Sequence, residues 1–252
     1  MPPSRVVSLC PSITETIVAI GGLKRLAGVT RYCTRPSGML WGLPRVGGTK
    51  SPDIARILDL RPDLVFANAE ENRREDVEAL RDAGIEVDVT LPKKVAEVPE
   101  TIRRWGKLLG TVEEAEPLAA RIEQAAAGLS GERGNGSFRY AYWIWKDPWM
   151  TVSDDTYVAD LVSLVGGQNA YGAEPVRYPT TTPSEALARG ARVQIFASEP
   201  YPFDEEKHGE LTARLFGNAA RRVFVDGDDY CWHGVRTLDG IRAVRDLIKL
   251  RD

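Results

Sequence analysis

In this 252-residue chain Cys10, Cys33, Cys231 and His233, three thiols and one of two imidazoles, carry side chains that bind soft metals or act as nucleophiles. Thiolate and imidazole are the preferred ligands of zinc and related ions. None of the four shows the short paired spacing of a zinc site, and with only His208 and His233 present a three-histidine centre is excluded. An odd number of widely spaced cysteines points to reduced thiols, whose default is a buried, inert position. No dedicated metal site is expected; Cys33, Cys231 and His233 stay as its weak candidates, with Cys10 beside them. Glu70-Glu71 and Asp228-Asp229 have the composition of an acid and base pair, but carboxylates at loop ends are mostly solvated. The chain lacks a Gly-x-Ser-x-Gly elbow, a phosphate-cradling glycine-rich motif and a His-Glu-x-x-His sequence. A non-catalytic protein with no catalytic cofactor is the expectation.

Binding is the stronger theme. In open parallel sheets a ligand lies beyond the carboxyl ends of the strands, where loops converge. The segments that follow strand-like runs are residues 10–14, 30–36, 68–72, 145–150, 199–203 and 226–236, and they contain all three cysteines, His233 and three tryptophans, Trp145, Trp149 and Trp232. Aromatic faces with a few polar groups suit a large, flat, partly apolar guest. Asn68, Glu70, Asn72, Trp145, Trp149, Tyr201, Trp232 and His233 are therefore candidate contacts. Trp143 and Trp145, at strand spacing, point to one face and could equally pack core.

Two segments that share one internal plan must position these residues. In the first, a β-type run at residues 5–9 leads into a helix with Ser12 as candidate N-cap and Glu15 three residues on. Residues 54–61 then read as a helix, 64–67 as a buried strand, 74–82 as a helix ended by Gly84, and 85–89 as a strand. In the second, residues 140–145 read as an aromatic strand, Thr156 to Leu164 as a helix closed by Gly166 and Gly167, residues 184–189 as a helix and 193–197 as a buried strand. Alternating strand and helix means parallel sheets with crossover helices. The expectation is two Rossmann-like α/β lobes, residues 1–110 and 134–252. A connecting helix and loop at residues 111–133 would join them, helical over 111–129 and loop-like over 130–136, as one rigid link with the ligand cleft between the lobes. Residues 204–207 read as an exposed loop.

The balance of 33 Lys+Arg against 36 Asp+Glu leaves no basic surplus for a phosphate backbone, so nucleic-acid binding is excluded. The apolar run at residues 6–9 is too short for a signal peptide or a membrane span. As written, the chain reads as cytoplasmic, with a periplasmic or extracytoplasmic site as the alternative if a leader has been removed.

Residues 5–16 (RVVSLCPSITET), 30–36 (TRYCTRP), 57–65 (ILDLRPDLV) and 80–87 (LRDAGIEV) resemble the helical-backbone solute-binding proteins of ABC importers, with the nearest likeness in the cobalamin-binding branch. Residues 165–171 (VGGQNAY) and 184–188 (SEALA) carry the likeness into the second half. The resemblance implies binding of cobalamin or another metal chelate. A different solute such as haem or an iron-siderophore, or an enzyme acting on such a ligand, is the alternative. It implies Tyr32 on the ligand face, Trp232 and Arg236 as an aromatic and basic wall, and the 145–149 loop covering the other side. It suggests that His233 reaches a cobalt or iron atom, with Cys33 or Cys231 as rivals. An ABC permease is the implied partner. The glutamates by which members dock to it align near Arg74 and Ser184, one residue from Glu75 and Glu185.

Overall fold

The computed structural model describes residues 1–132 and 136–250, without the side chains of residues 130–132 and 250. It contains two compact units. The first comprises Met1–Pro92, Glu97–Ile122 and His233–Val235; the second comprises Lys93–Ala96, Glu123–Trp232 and Arg236–Asp252.

In the first unit the order is β1 (Val6–Ser8), α1 (Pro11–Ala19), β2 (Leu26–Val29), α2 (Ile54–Asp59), β3 (Leu64–Asn68), α3 (Arg74–Asp82), β4 (Glu86–Thr90), α4 (Val98–Leu109) and the start of α5 (Val112–Glu132). The strands form one parallel sheet in the order β2-β1-β3-β4. All five residues of β3 are buried, as a central strand covered on both faces requires. Val7, Val65 and Val87 meet Ile57, Val77 and Leu80 in one core cluster, so α2 and α3 pack on the sheet through the apolar positions that the helical spacing marks. Asp53 caps α2 by accepting from the Arg56 N–H, and Gly84, at φ 82°, ends α3 in a backbone conformation that only glycine adopts cheaply.

The second unit repeats the plan with β5 (Phe138–Trp143), α6 (Tyr157–Ser163), β6 (Gly167–Asn169), α7 (Pro183–Ala188), β7 (Val193–Ala197), α8 (Glu205–Phe216), β8 (Arg221–Val225), α9 (Gly227–Cys231) and α10 (Thr237–Arg245). Its parallel sheet runs β6-β5-β7-β8, position for position the order of the first. Thr156, Thr182 and Asp204 accept from first-turn N–H groups of α6, α7 and α8. The α/β class and the two parallel sheets are as the sequence implies.

Three local expectations are corrected. Ser12 does not cap α1: the helix starts at Pro11 with Cys10 in the cap position, because proline's fixed φ suits the first helical residue. Residues 204–207 are not a loop, since Asp204 caps α8 and the next three residues form its first turn. Residues 130–132 continue α5, and residues 133–135 of the expected loop lie outside the described residues. The start of α5 packs within the first unit, with Ala115 against Gly106 and Glu116 on Arg103, and the helix changes unit between Ile122 and Glu123. No helix among the described residues is long and apolar enough to cross a membrane.

Candidate ligand-binding loops

At the carboxyl ends of the first sheet, amide side chains fasten loop to loop. The Asn72 Oδ1 accepts the Asn68 N–H at 2.8 Å, and its Nδ2 donates to the Leu9 carbonyl at 3.2 Å and the Thr49 carbonyl at 2.9 Å. The Asn68 Oδ1 accepts from the Glu70 N–H at 2.9 Å and the Glu71 N–H at 3.2 Å, while its Nδ2 donates to the His233 Nε2 at 3.1 Å. Asn68, Asn72 and His233 are all buried. They build the loops from inside, and Glu70, half-buried beside them, takes Lys50 on its carbonyl.

His233 arrives from far along the chain. Its ring lies 6.4 Å from that of Trp105, the Val235 N–H donates to the Thr16 Oγ1 at 3.0 Å, and a Cβ at Gly234 would fall 2.0 Å from that same oxygen. Burial lowers the imidazole's pKa to about 4, so it is neutral and can accept from Asn68. A ring held in this way is a structural strap, and the structure turns its Nε2 toward Asn68 rather than toward solvent.

Two of the three thiols, Cys10 and Cys33, are equally enclosed. Burial pushes Cys10 up to about 12 and raises Cys33, whose Sγ accepts from the Thr14 Oγ1 at 3.1 Å. Both are therefore protonated and poor as nucleophiles or ligands. Cys231 lies 3.6 Å from the Tyr142 hydroxyl in the second unit. Among the described residues no group of three or more His, Cys, Asp or Glu is arranged to hold a metal.

What the first unit presents to solvent lies on the loop after β2. Tyr32 is 53% exposed with the Arg31 guanidinium 5.1 Å from its ring centre, and Trp41 is 91% exposed with Met39 nearby in sequence. Arg45 braces this loop by donating to the Thr30 carbonyl at 3.2 Å and the Cys33 carbonyl at 2.8 Å. Gly48 leaves room for Tyr32, since a Cβ there would stand 3.2 Å from the ring. Trp41, Met39, Arg31 and Arg45 escaped the sequence reading. The signal was present for Trp41: a lone tryptophan in a stretch broken by Pro36, Gly38, Gly42 and Pro44 has few neighbours to bury it.

The second unit presents rings backed by rings. Trp145 is 40% exposed and stands edge-on to Tyr201 at 5.6 Å; Tyr201 packs on Phe203 at 4.6 Å and its hydroxyl meets the His208 Nε2 at 3.2 Å. Trp149 stacks on Phe203 at 5.8 Å and meets Trp143 edge-on at 5.1 Å. Trp143 and Trp145 thus belong to one series of rings that runs from the core to the surface. Trp143 closes β5 inside the core, whereas Trp145 lies past the strand's end, where the pleat no longer dictates direction. Trp232 donates through Nε1 to the Glu199 Oε2 at 3.1 Å, with the Arg236 guanidinium 5.9 Å from its ring; Arg236 in turn donates to the Asp229 Oδ1 at 3.0 Å. Glu199 and Asp229 thus fix an indole and a guanidinium side by side. Such loops can grip a flat guest by ring faces and cations, and they hold no activated nucleophile.

Comparison with known proteins agrees. The family model described as periplasmic binding protein matches residues 6–213. A vitamin B12-binding protein of Vibrio cholerae is 28% identical over 251 residues, covering 99% of this chain and 90% of that one. The crystal structure of the periplasmic vitamin B12-binding protein BtuF of Vibrio cholerae matches with a TM-score of 0.87 at 24% identity, covering 99% of this chain and 98% of that one. The periplasmic heme-binding protein RhuT from Roseiflexus sp. RS-1, in apo form, matches at 0.80 and 24%, covering 98% of each. At these identities the structural matches establish the fold.

Proposed function

We propose that this chain, which belongs to the periplasmic binding protein family, captures a cobalamin-like corrinoid or a related metal chelate without altering it and passes it to an ABC permease. The family is one of non-catalytic binding proteins. What carries the ligand assignment is the set of aromatic faces at strand carboxyl ends in each unit: Tyr32 and Trp41 in the first, Trp145 and Trp232 in the second, with Arg31 and Arg236 against two of them. Ring faces hold a macrocycle by stacking and apolar contact, and guanidiniums suit the carboxylates or phosphate on its rim. The names of the relatives, vitamin B12-binding and heme-binding, belong to the same chemical class of flat metal-bearing macrocycle.

Recognition in this reading runs through the ligand's faces and edges. His233 stays in its strap and supplies no bond to the metal, and Asn68 and Asn72 act by shaping the loops. In the second unit Glu185 is already engaged with Arg189 at 2.8 Å, which leaves Glu75, exposed on α3, as the freer of the two carboxylates to meet a permease.

Absorbance titration with cyanocobalamin and with hemin tests the reading. A one-to-one complex with either supports it, and native mass spectrometry of freshly purified protein then identifies the bound mass. Absence of binding to both rejects the macrocycle assignment and leaves a different organic solute.

A further inference from the structure

At the amino ends of its strands, opposite the loops described above, the second unit has a cavity of about 770 Å³ whose lining includes four arginines, Arg139, Arg192, Arg221 and Arg222, and, among the described residues, no carboxylate. The strand register explains their placement. Ala141, Gln194 and Arg222 stand side by side on β5, β7 and β8, so alternation puts Arg139, two residues before Ala141, and Arg192, two before Gln194, on the same face as Arg222. The backbones are tied across this edge, with the Arg192 N–H donating to the Arg139 carbonyl at 2.9 Å and the Arg221 N–H to the Arg192 carbonyl at 2.8 Å. Gln168, paired with Arg139 on β6, extends the row with an amide. Arg221 differs: it turns to the other face and reaches the Lys249 carbonyl at 3.4 Å.

The three arginines that share a face have carbonyl contacts at most. Arg192 reaches the Ala219 carbonyl at 3.5 Å and Arg222 the Gly209 carbonyl at 3.2 Å, and none of the three is in a salt bridge with a described residue. Stabilising helix ends does not account for them. The carboxyl ends of α7 and α8, at Ala188 and Phe216, lie in sequence next to the lining residues Gly190 and Gly217, and each carries about half a negative charge. Among the described residues, three guanidiniums against about one negative charge leave a positive surplus in a concave space. Like charges gathered at a strand edge raise the energy of the fold unless an anion visits.

We propose that this cavity binds a small anion bearing two or more phosphate groups. Planar guanidiniums on neighbouring strands match phosphate oxygens in bidentate pairs, and the volume is in the range of small-molecule sites. A single phosphate could meet only part of the row. The site is independent of the macrocycle ligand and works whether or not that ligand is bound.

Calorimetric titration of the whole chain with inorganic triphosphate in 50 mM NaCl tests this. Saturable one-to-one binding is expected, at least tenfold weaker in 300 mM NaCl because the arginines are exposed and screened. The double variant Arg139→Gln/Arg222→Gln should lose at least tenfold in affinity, and Arg242→Gln, on α10 outside the lining, should stay within twofold of wild type. Should the double variant misfold, NMR of the arginine Nε–H groups in the wild-type protein decides: shifts confined to the lining arginines Arg139, Arg192, Arg221 and Arg222 support the site. No saturation, shifts on arginines outside the lining, or equal losses in the Arg242 variant would each overturn it.

Discussion

At the end of β3 the chain is held by amides, Asn68 and Asn72, whereas at the end of β7 it is held by rings, Tyr201, Phe203 and Trp149. Both sheets have the same strand order, and both place their loops at carboxyl ends. Amide clasps fix backbone without consuming surface, so the exposed rings at this end of the first unit are those its β2 loop carries, Tyr32 and Trp41. Ring clusters grade from core to surface, so in the second unit Trp143, Trp149 and Trp145 form a series from buried to exposed. Stability and binding should therefore separate by residue within the second unit and coincide in the loops of the first.

Truncating the innermost ring tests that gradation most severely. Trp143 stacks on Phe196 and donates from Nε1 to the Gln194 Oε1 at 2.8 Å, so Trp143→Ala should cost about 4 kcal/mol in chemical denaturation. In the first unit the strap is the sensitive point. His233 is held at about 4, below the free value of 6.5, so the folded state favours the neutral ring. Its contribution is complete above pH 6.5 and is lost as pH falls toward 4, a loss of about 3 kcal/mol. Denaturation curves across that range should show the fall in wild type, and His233→Gln, which does not titrate, should flatten it. Asn72→Ala orphans the Leu9 and Thr49 carbonyls and should cost about 2 kcal/mol in the same assay. Trp145→Ala should move stability by less than about 1 kcal/mol, since the ring is partly exposed and meets Tyr201 only at an edge. An equal cost at Trp143 and Trp145 would erase the distinction between core and rim.

Much of this was legible in the chain. The run at residues 64–67 is continuously apolar and that at 193–197 is apolar except for Gln194, and they become β3 and β7, the strands that unite each sheet. Helix α3 is bounded as its spacing and Gly84 imply. Strands β6 and β8 left weaker traces. β6 is three residues of Gly167, Gln168 and Asn169, and β8 opens with two arginines at a sheet edge, so neither shows an apolar alternation. Of the candidate contacts, the exposed aromatics were signalled by composition and position after strands. The inward turn of Asn68, Asn72 and His233 was not, because a buried amide or imidazole reads like a surface one until its partners are known, and His233 finds Asn68 across 165 positions.

The most direct measurement is an absorbance titration with cyanocobalamin of the wild-type chain, Trp145→Ala and Trp232→Ala, with melting temperatures recorded in parallel. The account predicts stoichiometric binding by the wild type and at least tenfold weaker binding by both variants, with melting shifted by no more than a few degrees. Wild-type affinity in both variants would contradict it, as would weakening that merely follows a loss of fold.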